Sequence, residues 1–289
     1  MKNFLAPLSC RALLAMAAAF LTLTGSVNAQ ITMPSPSTTT SVKQPVGMTE
    51  ITLDYSRPSA KGRKIMGELV PFGAIWRTGA NSPTKFTTTD SITIMGKGLA
   101  KGTYVIMSKP GKDAWEVMFN KNPKANATDE TALFPADNVV SISVPSMKTG
   151  MMVETFTMGI GNITNTAATL DIAWENTMIS IPFTNDIDSK IMAQIKQKLD
   201  GPTQADYFAM SQYYFDSGKE MGKALEFADK ALAKGERFWM LRHKSLVQAK
   251  MGDKKGAIET AKKSMAAATE AKNMDYVRMN EKSIAEWSK

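Results

Sequence analysis

The sequence predicts an α+β chain in two segregated parts, an antiparallel β-sandwich or flattened barrel followed by an all-α region. In the first part, apolar residues recur with period two in about nine short stretches that turn residues separate. No long helical pattern stands between these stretches, and parallel strands would need such crossovers, so we expect antiparallel pairing. After Phe183 the β-branched residues become rare, and Ala, Lys, Glu and Met recur at helical spacing.

The first 29 residues have the pattern of a secretory signal peptide. Lys2 and Arg11 precede or flank an apolar run over residues 12–24, and the small residues that follow fit cleavage after Ala29. A membrane anchor is the alternative, but a helix that spans a bilayer needs ~20 apolar residues, and this run is shorter. We therefore expect cleavage, no membrane anchor afterwards, and a soluble periplasmic or secreted protein.

The predicted β domain spans residues 30–184. Residues 49–55 alternate between apolar and polar, as in a strand with one buried face. The other predicted strands are 85–88, 91–95, 103–108, 114–119, 139–144, 151–158, 169–174 and 178–183. Residues 96–98 are expected to form a turn, and residues 109–113 are expected to close a hairpin.

The helical part is expected to comprise a connecting helix or linker at 185–200 and a helical domain at 201–289. Two Ala-rich segments, 224–232 and 257–265, resemble each other. Their spacing is close to the ~34-residue period of tetratricopeptide repeats, in which small residues let paired helices approach closely. The alternative is a plain helical bundle with Ala-rich seams. In either case we expect a scaffold or a surface for a protein partner.

The composition excludes much catalytic chemistry. The chain has one Cys, Cys10 within the predicted signal peptide, and one His, His243. Thiol nucleophiles, disulfides and zinc–thiolate sites are therefore excluded from the mature chain, and a Ser-His-Asp triad would depend on a single residue. We expect no cofactor and no metal site. Of the formal net charge of +8, the predicted signal peptide carries +2 and the remaining +6 is spread over both parts, so we expect no nucleic-acid partner.

One polar cluster in the predicted β domain is distinctive. The domain contains eleven Lys but three Arg, and all three Arg lie within 21 consecutive positions. The planar guanidinium binds carboxylates and phosphates through two parallel hydrogen bonds. A tryptophan adjoins the last arginine, and neutral polar residues follow it. The predicted ligand-site residues are Arg57, Arg63, Trp76, Arg77, Asn81 and Thr84.

The same arginines also have a structural interpretation. In it, they hydrogen-bond loop carbonyls and the acids Asp54 and Glu68, and so order a long connection between two strands. Such internal networks use the same residue types as ligand sites, and they are the more frequent of the two.

A family resemblance covers roughly residues 33–183. The segments that carry it are Tyr55–Arg63, Gly67–Gly73, Trp76–Asn81, Gly102–Tyr104 and Trp115–Lys121. They resemble the DUF2911 family of exported bacterial proteins, which is common in Bacteroidetes and of unknown function. Some members carry a similar tetratricopeptide-like tail. The resemblance implies an exported location and the fold rather than an activity. Family members usually have Glu where this chain has Ser82. If that Glu is a catalytic acid or base in the family, this chain cannot use it, so the comparison implies binding rather than catalysis.

Three functions are compatible with these observations. The first is a soluble cell-envelope binding protein for a ligand with an anionic or hydroxyl-rich group, whose helical tail binds a protein partner. The second is an interaction scaffold without a small-molecule site. The third is a hydrolase of envelope carbohydrate that uses Glu68 or Asp54 beside the arginines. An enzyme ranks last because neither acid has a second carboxylate at a recognisable spacing.

Overall fold

The computed structural model describes residues 33–128, 130–199 and 201–289. The predicted signal peptide and its cleavage position, Ala29, lie outside these residues. Within the described residues, ten β-strands precede six α-helices, so the chain has the predicted α+β organisation. No helix in this described part is long and apolar enough to cross a membrane.

The strands form two separate antiparallel sheets that do not close into one barrel. Their bounds are β1 Thr38–Val46, β2 Thr49–Arg57, β3 Lys85–Thr88, β4 Ile92–Ile94, β5 Lys97–Leu99, β6 Gly102–Lys109, β7 Ala114–Asn120, β8 Asn138–Pro145, β9 Met147–Gly161 and β10 Ala167–Asn185. The larger sheet has the order β1–β2–β3–β6–β7–β8, and the smaller has the order β5–β4–β10–β9. Of the two predicted alternatives, the structure therefore has the sandwich.

The core of the sandwich lies between the two sheets. Its largest buried side chains are Phe86, Trp115, Phe119, Phe156, Trp174 and Phe183. Strand β2 shows the predicted alternation, because Ile51 and Leu53 are fully buried while Thr52 and Asp54 between and beside them are partly exposed. Burial of such side chains stabilises the fold by ~1.5–3 kcal/mol each.

Three details differ from the predicted strands. Strand β1 was not predicted, because its residues Thr38–Pro45 are polar or only partly buried and it forms an edge of the larger sheet. Residues 97–99 form strand β5 instead of a turn, and the turn consists of Met95 and Gly96, both at positive φ. The predicted strands 169–174 and 178–183 are one strand, β10, which β-bulges interrupt between them.

The helices follow the sandwich directly. Their bounds are α1 Asp188–Lys198, α2 Gln204–Ser217, α3 Met221–Ala233, α4 Phe238–Lys250, α5 Lys254–Glu270 and α6 Met274–Trp287. Helix α2 packs against α3, α4 against α5, and α5 against α6. The Thr203 hydroxyl accepts a hydrogen bond from Asp206 N, and the Asp206 carboxylate accepts one from Thr203 N, so these two residues cap the start of α2.

Helix α1 is joined closely to the sandwich. It begins three residues after β10 ends at Asn185, whose side-chain Nδ2 donates to Val46 O at 2.6 Å. Lys190 of α1 forms an ion pair with Asp90, at 2.6 Å, in the connection between β3 and β4. A strand end, a buried amide and an ion pair thus hold α1 against the β domain.

Candidate functional site

The candidate site lies in the connection between β2 and β3, whose first residues run along strand β9. Phe156 N donates to Pro58 O at 2.8 Å, and Ala60 N donates to Glu154 O at 2.8 Å. These main-chain hydrogen bonds fix the start of the connection against the smaller sheet.

Trp76 fixes the second half of the connection. Its main chain exchanges two hydrogen bonds with Ser108 on β6, at 2.6 and 2.9 Å, and its Nε1 donates to Gly79 O at 3.0 Å. The half-buried Trp76 ring contacts the rings of Trp115, Phe156 and Trp174 at centroid distances of 6.1, 5.3 and 5.9 Å. Trp76 therefore belongs partly to the core and partly to the site above it.

The connection, Trp174 of β10 and residues 36–37 before β1 line an open pocket of about 580 Å³, which we call the arginine pocket. Its lining includes three cations, Lys61, Arg63 and Arg77, and three apolar side chains, Leu69, Trp76 and Trp174. Among the described residues that line it, none is Asp or Glu. The pocket therefore has a positive potential next to an apolar surface.

Arg77 is the arginine with the fewest internal contacts. Its Nε is buried, and no acceptor for it is present among the described residues. None of the ion pairs found in the described part of the chain includes Arg77. Since a buried donor without an acceptor costs ~1–3 kcal/mol, the Nε of Arg77 has an unmet need for a hydrogen-bond acceptor.

Arg63 is held by the main chain on one side. Its Nε donates to Ala60 O at 2.9 Å, and its Nη2 donates to Ser59 O at 2.8 Å. These carbonyls are neutral, so the guanidinium keeps its full charge while its position in the pocket wall is fixed. Its Nη1 has no partner among the described residues and can donate to a ligand.

Arg57 lies outside the arginine pocket. Its Nε donates to Phe156 O at 3.1 Å, and its Nη2 donates to Thr157 Oγ1 at 2.9 Å. Both acceptors are on β9, so Arg57 fastens the end of β2 to the smaller sheet. This is the structural role that the sequence offered as an alternative, with a carbonyl and a hydroxyl in place of an acid.

Asn81 and Thr84 also lie outside the lining of the pocket and shape its wall. The Asn81 Nδ2 donates to Ser37 O at 3.0 Å, which ties the connection to the residues before β1. Thr84 is fully buried, and its hydroxyl donates to Thr78 O at 2.6 Å. Of the six predicted residues, the structure therefore brings Arg63, Trp76 and Arg77 together in the pocket.

The two acids considered for catalysis are not part of the pocket lining. Glu68 is largely exposed and pairs with Lys64 at 3.1 Å, as two residues four positions apart. Asp54 lies on β2, where it pairs in register with Ser41 and Lys85 of the neighbouring strands. Neither acid contacts an arginine of the cluster through an ion pair in the described residues.

Strained backbone conformations concentrate around the pocket. Lys61, Thr78, Asn81 and Glu175 have φ values of 51°, 55°, 55° and 57°, in the left-handed region that side chains other than Gly rarely adopt. A β-branched residue such as Thr78 is especially unfavourable there. Such conformations persist only where the surrounding structure enforces them, and they are frequent at ligand sites.

The sequence did not single out Lys61 and Trp174 as site residues. Lys61 precedes Gly62, and both have positive φ, so a Lys-Gly turn within the cluster was an available signal. Trp174 lies 97 positions beyond Arg77 in the sequence, and a β-bulge beside it redirects strand β10. No local pattern could have placed it in the site.

His243, the single histidine, lies in the helical part. Its Nε2 is 2.9 Å from the Ser211 hydroxyl, which itself donates to Ala224 O at 2.6 Å. Because a hydroxyl has one proton, His243 Nε2 must donate to Ser211. Burial lowers the pKa of His243 below its ordinary value. Ser211 is fully buried, so this pair stabilises helix packing and does not form a nucleophile.

The fold and the site define an antiparallel two-sheet sandwich that carries a cationic pocket and is followed by six helices in its described part. Within the described residues, no group of three or more His, Cys, Asp or Glu could hold a metal ion. The family model described as "Protein of unknown function (DUF2911)" matches residues 35–183, more than half of the chain, and the chain belongs to this family. No curated protein and no solved structure matches the chain.

Proposed function

We propose that the chain is a binding protein whose arginine pocket takes a small organic anion. The observation that carries the proposal is Arg77, which lines the pocket while its buried Nε has no acceptor among the described residues. Lys61 and Arg63 add two further cations to the lining, and neither is neutralised by an acid of the pocket. A bound anion would supply the missing charge.

The backbone around the pocket supports binding. The surrounding structure enforces the positive φ values of Lys61, Thr78 and Asn81 and so keeps the connection in one conformation, which leaves little conformational entropy to be lost on binding. The carbonyls of Ser59 and Ala60 fix Arg63 in advance for the same reason. A pre-organised pocket of this kind binds an anion more strongly than exposed, flexible cations do, because fewer side chains must be ordered on binding.

Thermal unfolding with a panel of anions tests the proposal. The panel comprises citrate, benzoate, D-glucuronate and phosphate, each added to the unmodified chain, to Arg77→Met and to Lys64→Met. Lys64→Met is the matched control, since Lys64 is a neighbouring cation outside the pocket lining. At a ligand concentration of 100 Kd, binding stabilises the folded state by ~2.7 kcal/mol. We expect at least one anion to raise the Tm of the unmodified chain and of Lys64→Met by several degrees.

The same anion should leave the Tm of Arg77→Met unchanged. An equal shift in Arg77→Met, or no shift with any anion, would contradict the proposal. A much lower Tm of Arg77→Met without ligand would instead favour the scaffold interpretation.

A second function is proposed for the helical part, residues 201–289, as a tetratricopeptide-like surface for a protein partner. Arg242 supports it. Its guanidinium donates to Asn280 Oδ1 at 3.1 Å and to the Ser283 hydroxyl at 3.3 Å, and both acceptors are neutral. The half-exposed ring of Trp239 lines the same shallow groove as Arg242, which favours a peptide with an acidic and an apolar residue.

Selection from a displayed peptide library tests this second function. We expect enrichment of peptides with Asp or Glu, and loss of their binding in Arg242→Met but not in Lys282→Met, a change at an exposed position of α6. Selection without any enrichment of acidic peptides would count against a charge-guided partner surface.

We also propose that the chain is exported after removal of residues 1–29. The support is the charge and apolar pattern of these residues and the small side chain of Ala29. Intact-mass spectrometry of the protein from the periplasm and medium of a Gram-negative host is the test. We expect the mass of a chain that begins at Gln30. Full-length protein found solely in the cytoplasm would exclude export.

A further inference from the structure

We propose that the anion of the arginine pocket is a sugar acid, that is, a carboxylate carried by a hydroxylated carbon ring or chain. This inference deepens the anion-binding function proposed above and rests on it. Three properties of the pocket wall lead to this ligand class. They correspond to the three chemical parts of a sugar acid: its carboxylate, its carbon skeleton and its hydroxyls.

The first property is charge. Lys61, Arg63 and Arg77 line the pocket without an acid among the described lining residues. Desolvation of these cations would be unfavourable for a neutral ligand, because their water would be lost without a compensating charge. The ligand therefore carries a negative group that the planar forks of the two arginines can bind.

The second property is the apolar surface beside the cations. The Trp76 ring is half-buried, Leu69 is 46% exposed, and Val70 and Pro36 lie in the same lining. An inorganic anion would leave this surface in water. The volume of about 580 Å³ also falls within the range of ~300–1,000 Å³ that organic ligands occupy. The charged group is thus attached to a carbon skeleton that covers part of Trp76 or Leu69.

The third property is a set of neutral polar groups that the protein leaves unused. Ser37 and Ala80 both line the pocket, and neither the Ser37 hydroxyl nor the Ala80 main chain has a hydrogen-bond partner among the described residues. Groups of this kind bind hydroxyls, which donate and accept at the same time. An aliphatic or aromatic acid would match the first two properties and leave these groups unpaired.

A sugar acid satisfies all three properties at once. Its carboxylate would face the arginines, its C–H face would cover the apolar surface, and its hydroxyls would meet Ser37 and Ala80. A neutral sugar lacks the carboxylate, and a hydrocarbon acid lacks the hydroxyls. The two compounds therefore serve as controls that each lack one feature of a sugar acid.

Isothermal titration of the purified full chain tests the inference. The sugar acids are D-glucuronate, D-galacturonate and D-gluconate, and the matched compounds are D-glucose, without the charge, and cyclohexanecarboxylate, without the hydroxyls. We expect at least one sugar acid to bind ≥10-fold more tightly than both matched compounds. Ser37→Ala should weaken the binding of this sugar acid several-fold, and Arg77→Met should abolish it. Lys64→Met should leave the affinity unchanged.

The possible failures are distinguishable. If cyclohexanecarboxylate, benzoate or citrate binds through Arg77 at least as tightly as every sugar acid, the sugar-acid inference is wrong and the anion-binding function stands. If D-glucose binds as tightly as D-glucuronate and Arg77→Met has no effect, both are wrong. If no compound binds when it is added in ~10-fold excess over protein at ~1 mM, both the sugar-acid inference and the anion-binding function are wrong as well.

Discussion

Thr78 forms the strained turn that places Arg77 in the pocket wall. Its φ of 55° is unfavourable for a β-branched residue, and two buried hydrogen bonds compensate for it. The Thr78 and Ser108 hydroxyls lie 2.8 Å apart, and the Thr78 carbonyl accepts from Thr84 at 2.6 Å. Trp76 on one side and Gly79 on the other are fixed as well, so Arg77 has a defined direction without any bond of its own.

Thr84→Val should weaken this turn with little change of volume. The Thr78 carbonyl would lose its side-chain donor in a fully buried position, at a cost of ~1–3 kcal/mol. We expect the Tm to fall by several degrees and the affinity for the pocket anion to fall with it. Thr93→Val, at an exposed position of β4, is the matched control and should change the Tm by about a degree or less. Equal Tm values for the two variants would show that the turn does not depend on Thr84.

The three arginines show what sequence reasoning can and cannot resolve at this scale. Their clustering drew attention to the connection that lines the pocket. Which arginine would face the pocket depended on contacts between the two sheets, because Arg57 at the end of β2 finds its acceptors on β9, about 100 positions away. Local spacing contains no information on such long-range contacts, so Arg57 and Arg77 looked equivalent in the sequence.

His243 gives helix α4 a dependence on pH. Burial, between the rings of Phe208 and Phe215, lowers the pKa of His243 below its ordinary value of 6.5, while the nearby Asp216 opposes this shift in part. The unfolded chain therefore takes up a proton at a higher pH than the folded chain does. The stability from neutral His243 is present above about pH 6.5 and is lost as the pH falls through the lower folded pKa.

The Tm of the unmodified chain should accordingly decrease between pH 7.5 and pH 5, and His243→Gln should reduce this decrease. Thermal unfolding at constant ionic strength is the measurement. The carboxyls of Asp186 and Asp206, whose pKa values are lowered by hydrogen bonds, titrate below this window and do not interfere. Parallel pH profiles of the two proteins would mean that His243 does not control the effect.

Small residues determine how closely the helices pack. Ala257 and Ala261 of α5 are fully buried, as the sequence pattern predicted for a helix seam. Ala261→Leu should cost ~1–3 kcal/mol, because an overpacked seam forces the helices apart. Ala266→Leu on the exposed face of the same helix should cost less than ~0.5 kcal/mol. Chemical denaturation followed by circular dichroism compares the free energies of unfolding of the two variants. Equal values for Ala261→Leu and Ala266→Leu would show that the seam is loosely packed.

Elements with a strong local signal were predictable, and those defined by partners were not. The Thr203 cap, the hairpin between β6 and β7 and helix α6 follow from residues that lie close together in sequence. Strand β1 has no buried face of its own along most of its length and exists because β2 pairs with it. Its polar residues could equally have formed a loop.

At the scale of the whole molecule, Asn185 connects the end of the sandwich to the start of the helices. Its buried Nδ2 donates to Val46 O, so Asn185→Ala removes this hydrogen bond between the two parts and should cost ~0.5–1.5 kcal/mol. Lys190→Met removes the partly exposed ion pair with Asp90 and should cost ~0–1 kcal/mol. Differential scanning calorimetry of both variants measures the two losses. A larger effect of Lys190→Met would mean that the ion pair, and not the amide, joins the two parts.

The connection that forms the pocket also covers the edge of strand β9. Residues 58–60 and Arg57 occupy main-chain groups there that would otherwise face solvent, including the carbonyls of Glu154 and Phe156. An uncovered strand edge is a template for pairing with another chain and for aggregation. A shortened connection would therefore do more than remove the arginine pocket, because it would leave an uncovered sheet edge open to self-association on every molecule. The pocket and the protection of this edge thus depend on the same segment.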